Sequence, residues 1–161
     1  MATEGRTPSK EETLGWYDED DRQLVKLILE SKNRAVPRVQ EIIEFAQHAG
    51  YTRLGIANCV GLADSAAVLA EKLSEHFEVT RLDCKVCGLQ NCEFLADAEG
   101  AACNPVAQAK LLAEAGTELN IVLGLCLGHD LLFQKYTTAP STTLVVKDRV
   151  LGHNPVAALQ S

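Results

Sequence analysis

The sequence predicts an α/β fold: three layers, about four mostly parallel strands with flanking helices, Rossmann-like, with an N-terminal helical extension. Three observations carry this. Short apolar runs alternate with helical patterns from residue 53 to residue 160, which is the pattern of a parallel sheet with right-handed crossovers. The runs are continuously apolar, as expected of strands covered on both faces. No Gly-, Pro- or Ser-rich linker divides the chain.

Each element has its own signal. Residues 1–10 are polar and expected to be flexible, leaving 11–161 as one α/β domain made of N-terminal helices (11–50) and a βα core (53–160). Ser9 and Glu12 have capping-box spacing, so a first helix is expected to run from there through Leu24, Val25, Leu27, Ile28 and Leu29 to about Lys32, with Asp18, Asp20 and Asp21 on a solvated face. Pro37 opens a second helix. Val39, Ile42, Ile43 and Ala46 form its i, i+3, i+4, i+7 stripe, and Gly50 stops it. Leu54–Ala57 reads as the first strand. Ala63–Glu75 reads as a helix with Ala66, Ala67, Leu69, Ala70 and Leu73 inward. Phe77–Leu82 is the second strand, and 84–102 are irregular. Asn104-Pro105 starts a helix to Ala115, stopped by Gly116. Leu119–Leu125 is the third strand, His129–Tyr136 a short helix, Thr142–Val146 the fourth strand, and Asn154-Pro155 starts a last, truncated helix.

Composition narrows the function. The 161 residues suit one domain, roughly 100–200 residues being usual. The net charge of -7 disfavours nucleic acid, since an acidic chain repels phosphates. A low aromatic content removes base-stacking platforms. No run approaches the ~18 apolar residues of a membrane span, and no apolar segment reads as a signal peptide, so a cytoplasmic location is expected. In that reducing setting the six cysteines are expected to be apolar fillers, metal ligands or reactive thiols, not disulfides. Trp16 and Tyr17 can anchor the first helix on its own sheet or on a partner's, which leaves a homo-oligomer open.

The cysteines follow the strands. Cys59, Cys84 and Cys126 each follow a predicted strand, the second of which alternates apolar and polar residues, and each stands shortly before a glycine. In a parallel sheet those carboxyl ends share one edge, where open α/β sheets bind ligands. Cys103 precedes the Asn104-Pro105 helix start, where the helix dipole favours a thiolate. Cys84 and Cys87 form a CxxC, suited to metal or redox work. Cys92 falls outside the pattern. His129 and Asp130, just after Cys126, together with His153 and Lys147, are the candidates for proton transfer or catalysis. Lys147 and Arg149 can balance thiolate charge or hold an anion, although a solvated strand end is the plainer reading.

These motifs together resemble a known family. Leu54–Leu62, Cys84–Gly88, Cys103-Asn104-Pro105, Gly124–Asp130 and Lys147–Leu159 resemble the uncharacterised metal-binding proteins grouped as domain of unknown function 1847, over roughly residues 38–160. The resemblance implies a metal-associated protein of prokaryotes, many of them anaerobes, with no assigned reaction. It also implies a further cysteine-rich segment near the N-terminus, which residues 1–58 lack.

Three functions follow. The first is a metal ion, zinc or iron–sulfur cluster held by Cys59, Cys84, Cys103 and Cys126, with Cys87 as a fifth ligand; soft thiolates select such metals. The second is a metal-free thiol or redox enzyme using Cys103 or the Cys84/Cys87 pair. The third is a binding module for a small anion or nucleotide at glycine turns and helix N-termini, although no G-x-G-x-x-G or Walker motif is present.

Overall fold

The computed structural model describes residues 5–160. Residues 1–4, part of the segment expected to be flexible, lie outside the described residues. The chain divides between Ala49 and Gly50 into two compact units.

The first unit is helical, and one expected helix is two. Helix α1 spans Lys10–Leu14 and α2 spans Glu19–Ser31. Ser9 caps α1 by accepting the Glu12 N–H at 3.1 Å, as the spacing predicts, while the Glu12 carboxylate pairs with Arg6. The continuous helix fails at Gly15–Tyr17 because Asp18 is itself an N-cap. Asp18 and Asp21 exchange side-chain bonds to each other's N–H groups at 2.9 and 3.2 Å. That reciprocal box satisfies two otherwise orphaned donors, so the acids read as a solvated face instead open α2. No residue of α2 is buried. Helix α3, Arg38–His48, buries Ile42, Ile43 and Ala46, and Gly50 follows it at φ +70°, a left-handed conformation that glycine adopts without steric cost.

The second unit is the predicted α/β layer structure. Four strands, β1 (Arg53–Asn58), β2 (Glu78–Asp83), β3 (Leu119–Leu123) and β4 (Ser141–Val145), form one parallel sheet ordered β2-β1-β3-β4. Every residue of β3, and all of β1 after Arg53, is buried; the edge strands are half-buried to exposed. Helices α4 (Ala63–Ser74), α5 (Pro105–Glu114) and α6 (Leu127–Tyr136) connect them. The chain moves from β1 outward to β2, then back across β1 to β3 and on to β4. Right-handed crossovers in opposite directions put α4 on one face and α5 with α6 on the other. Ala57, Ala109, Leu112, Val122 and Phe133 form the core under α5 and α6. Gly55 is required there: a Cβ would stand 2.0 Å from Asn120 Oδ1 and 3.1 Å from Leu112.

Three local expectations shift. Ala67 of α4 is exposed, and the inward face is Ala66, Leu69 and Leu73. Strand β3 ends at Leu123, because Gly124 turns the chain at φ +66°. The last helix is a 3₁₀ turn over Pro155–Leu159. Among the described residues no helix is long and apolar enough to cross a membrane.

Candidate functional site

The strand order reverses between β1 and β3, and at that switch point open α/β sheets form a crevice at their carboxyl ends. The backbone there is drawn tight. Cys59 N–H donates to Leu123 O at 3.1 Å, and Gly124 N–H to Val145 O at 2.8 Å. A Cβ on Gly124 would lie 2.1 Å from Leu62 Cδ1. Four predicted cysteines stand around this edge, on the segments that follow β1, β2 and β3, with Cys84 and Cys103 at the two ends of the second.

Cys59 is buried directly after β1, and Lys147 Nζ donates to its Sγ at 3.4 Å. Burial pushes the Cys59 thiol up, but the Gly61 N–H and the Lys147 ammonium outweigh it and hold the thiol below its ordinary value. The neighbouring Cys84 thiol lowers it a little further. Cys84, after β2, is only 2% exposed. Its Sγ accepts the Val60 N–H at 3.4 Å and lies 3.5 Å from Cys103 Sγ. Burial, then the neighbouring thiols of Cys103 and Cys59, pushes the Cys84 thiol up to about 12. Cys103 precedes α5, whose N-cap Asn104 accepts the Ala107 N–H at 3.0 Å. Cys126 is the N-cap residue of α6, and Arg149 Nη2 donates to its Sγ at 3.1 Å. That bond raises the affinity of the guanidinium for its proton.

The other predicted residues sort themselves. His129 is held below its ordinary value by burial first, then by Lys85 and Arg149, so it is a neutral imidazole beside two cations. Asp130 accepts from Gln134 one turn along α6 at 3.4 Å. His153 sits at φ +67°, and its Nδ1 accepts the Asp148 N–H at 3.1 Å. Asp148 Oδ1 accepts the N–H groups of Val150 and Leu151. Asp148 and His153 thus shape the turn that carries Arg149. Cys87 is exposed at φ +70°, and Cys92 is exposed.

One functional residue escaped the sequence reading. Gln108 of α5 is fully buried, and its Nε2 donates to Asn58 O at 3.1 Å and Leu82 O at 2.8 Å. It ties α5 to the ends of both strands that lead into Cys59 and Cys84. The available signal was a glutamine on the otherwise apolar inward side of α5.

Among the described residues no group of three or more Cys, His, Asp or Glu side chains is closed around a point that would hold a metal ion. The Cys84 sulfur instead has that of Cys103 as its near neighbour. The donor set fits a soft metal by its chemistry. The 3.5 Å Cys84–Cys103 separation is close to the ~3.8 Å between two thiolates on one tetrahedral zinc.

Comparison with known proteins yields a family. A family model described as protein of unknown function (DUF1847) matches residues 2–144. The match includes the N-terminal helices and the four edge cysteines, and stops before Lys147. An uncharacterized protein of Methanocaldococcus jannaschii is 51% identical over 127 residues, covering 76% of this chain. The chain spans 66% of that relative's length. No solved structure matches the chain.

Proposed function

The chain belongs to the DUF1847 family, and we propose that this member binds a soft metal ion or an iron–sulfur cluster at the carboxyl edge of its sheet. Cys59, Cys84, Cys103 and Cys126 would hold it. The observation that supports this best is the 3.5 Å contact between the Cys84 and Cys103 sulfurs, with Cys59 near enough for its charge to act on Cys84. Such softness and crowding are poor for hard cations and good for zinc or iron.

The surrounding residues fit that role. Lys147 and Arg149 each place a cation on a cysteine sulfur, which offsets the negative charge several thiolates build up together. The Val60 N–H donates to the Cys84 sulfur, the kind of outer bond that tunes a ligand. A bound metal would supply Lewis acidity or an electron. The chain's residues would hold the ligand sulfurs at the sheet edge, Lys147 favouring the Cys59 thiolate, with neutral His129 near the start of α6 as a proton acceptor. CxxC spacing had suggested Cys87 as a further ligand; its exposure supports a lesser role.

Purification without oxygen, followed by metal and sulfide analysis, tests the reading. About one zinc ion or one cluster per chain is expected, with loss of structure or spectrum on chelation. Metal-free protein that stays folded and unchanged by chelators overturns it.

A further inference from the structure

The thiols carry a second chemistry that spacing alone misplaces. We propose that Cys84 and Cys103, not the CxxC pair Cys84 and Cys87, form a redox-active dithiol that reduces low-molecular-weight disulfides. This inference shares two residues with the proposed metal site but rests on the sulfur–sulfur contact and not on metal binding.

The two sulfurs are 3.5 Å apart. Their backbones are clamped together as well, because Asn104 N–H donates to Cys84 O at 2.7 Å. A disulfide needs close backbones as much as close sulfurs, and this contact supplies both from residues 19 apart. Cys87 does the opposite. It sits in a 3₁₀ turn at φ +70° and is exposed, while Cys84 is buried.

Exposure assigns the roles. Cys103 is partly accessible while Cys84 is buried, so an entering disulfide meets the Cys103 sulfur first. The Cys103 thiolate attacks one sulfur of a substrate R–S–S–R. An S–S bond forms to Cys103, the R–S–S–R bond breaks, and RS⁻ leaves. The departing thiolate takes up a proton from solvent, and Cys84 releases its own proton to solvent. The Cys84 thiolate, steadied by the Val60 N–H, then attacks Cys103 Sγ and expels the second RS⁻, which takes up the Cys103 proton released earlier to solvent. The substrate gains two electrons and two protons; the dithiol loses them.

The test uses the full, reduced, metal-free chain, incubated without oxygen with glutathione disulfide and then mapped by peptide mass spectrometry. Free thiols should fall from the six present to four, with Cys84 linked to Cys103. Cys84→Ser should stop at glutathione attached to Cys103. Cys103→Ser should leave Cys84 reduced, and Cys87→Ser should behave as the parent. A Cys84–Cys87 bond, or Cys84 and Cys103 both still reduced, overturns the proposal. The parent map decides this even if a serine variant misfolds. A chain that forms the bond yet binds no metal removes the metal reading alone; a metal-binding chain whose pair stays reduced removes this one alone.

Discussion

Lys147 Nζ donates to Cys59 Sγ at 3.4 Å, joining residues 88 positions apart. The pair sets the ionisation of the thiol. Burial opposes the thiolate; the Gly61 N–H and Lys147 favour it and prevail. Lys147→Met should therefore raise the Cys59 titration midpoint toward or above its ordinary 9.0, because burial then meets less opposition. Alkylation of Cys59 against pH, followed by peptide mapping, reads the midpoint. An unchanged midpoint would show that the ammonium does not act on this sulfur.

Metal retention should divide the cysteines. Cys84→Ser should abolish metal binding, since the Cys84 sulfur lies 3.5 Å from that of Cys103 and is the most buried of the proposed ligands. Cys92→Ser should keep full stoichiometry, as Cys92 is exposed outside the edge. Metal analysis of both, with circular dichroism to confirm folding, gives the comparison. Equal loss from both would remove the edge as the binding place.

Gly55→Ala is the sharpest packing test. The new methyl would overlap Asn120 Oδ1, which accepts from Thr117 at 2.8 Å while Asn120 Nδ2 donates to Thr137 at 2.9 Å. Overpacking a tight core costs about 1–3 kcal/mol, and the displaced amide adds to it. Urea unfolding should show the lower midpoint with the slope unchanged.

Glu118 gives the pH dependence. Its carboxylate accepts the Thr52 N–H at 2.7 Å and the Arg53 N–H at 2.9 Å, and these bonds hold it below its ordinary 4.5. A depressed acid stabilises the fold above its unfolded value, so this contribution is complete above about pH 4.5 and disappears as pH falls through the folded value. Glu118→Gln should lose about 1 kcal/mol at neutral pH and flatten the acid limb of the stability curve. Thermal melts from pH 3 to 7 would reveal it, and parallel curves for both proteins would contradict it.

Much of this was legible because the chemistry sits where strands stop. A predicted strand followed by Cys59, Cys84 or Cys126 and, shortly after, a glycine marks both a strand and its carboxyl end, and parallel pairing places those ends together. The helix starts were equally plain, since Asn104-Pro105 names its own cap. What the residues did not disclose were choices made by competition or across space. Asp18 captured the N-cap role from within what reads as one helix's solvated face, because its box with Asp21 satisfies the first backbone donors of α2. Gln108 looked like one polar residue on an apolar face; only the fold sets its amide against two strand ends. The partner of Cys84 was hidden for the same reason. Spacing proposes Cys87, but a left-handed residue turns the chain there and Cys103 arrives from the far end of the loop.

The 88-residue span between Cys59 and Lys147 bears on how the protein is born. Closing so long a loop costs entropy before any contact rewards it, and non-local pairings of this kind form late. A chain synthesised as far as Cys126 carries all six cysteines while Lys147 and Arg149 are still unmade. During that interval the thiols stand without their cations. Synthesis itself therefore sets an order: sulfur first, charge compensation last, and a mature site only after β4 has joined the sheet.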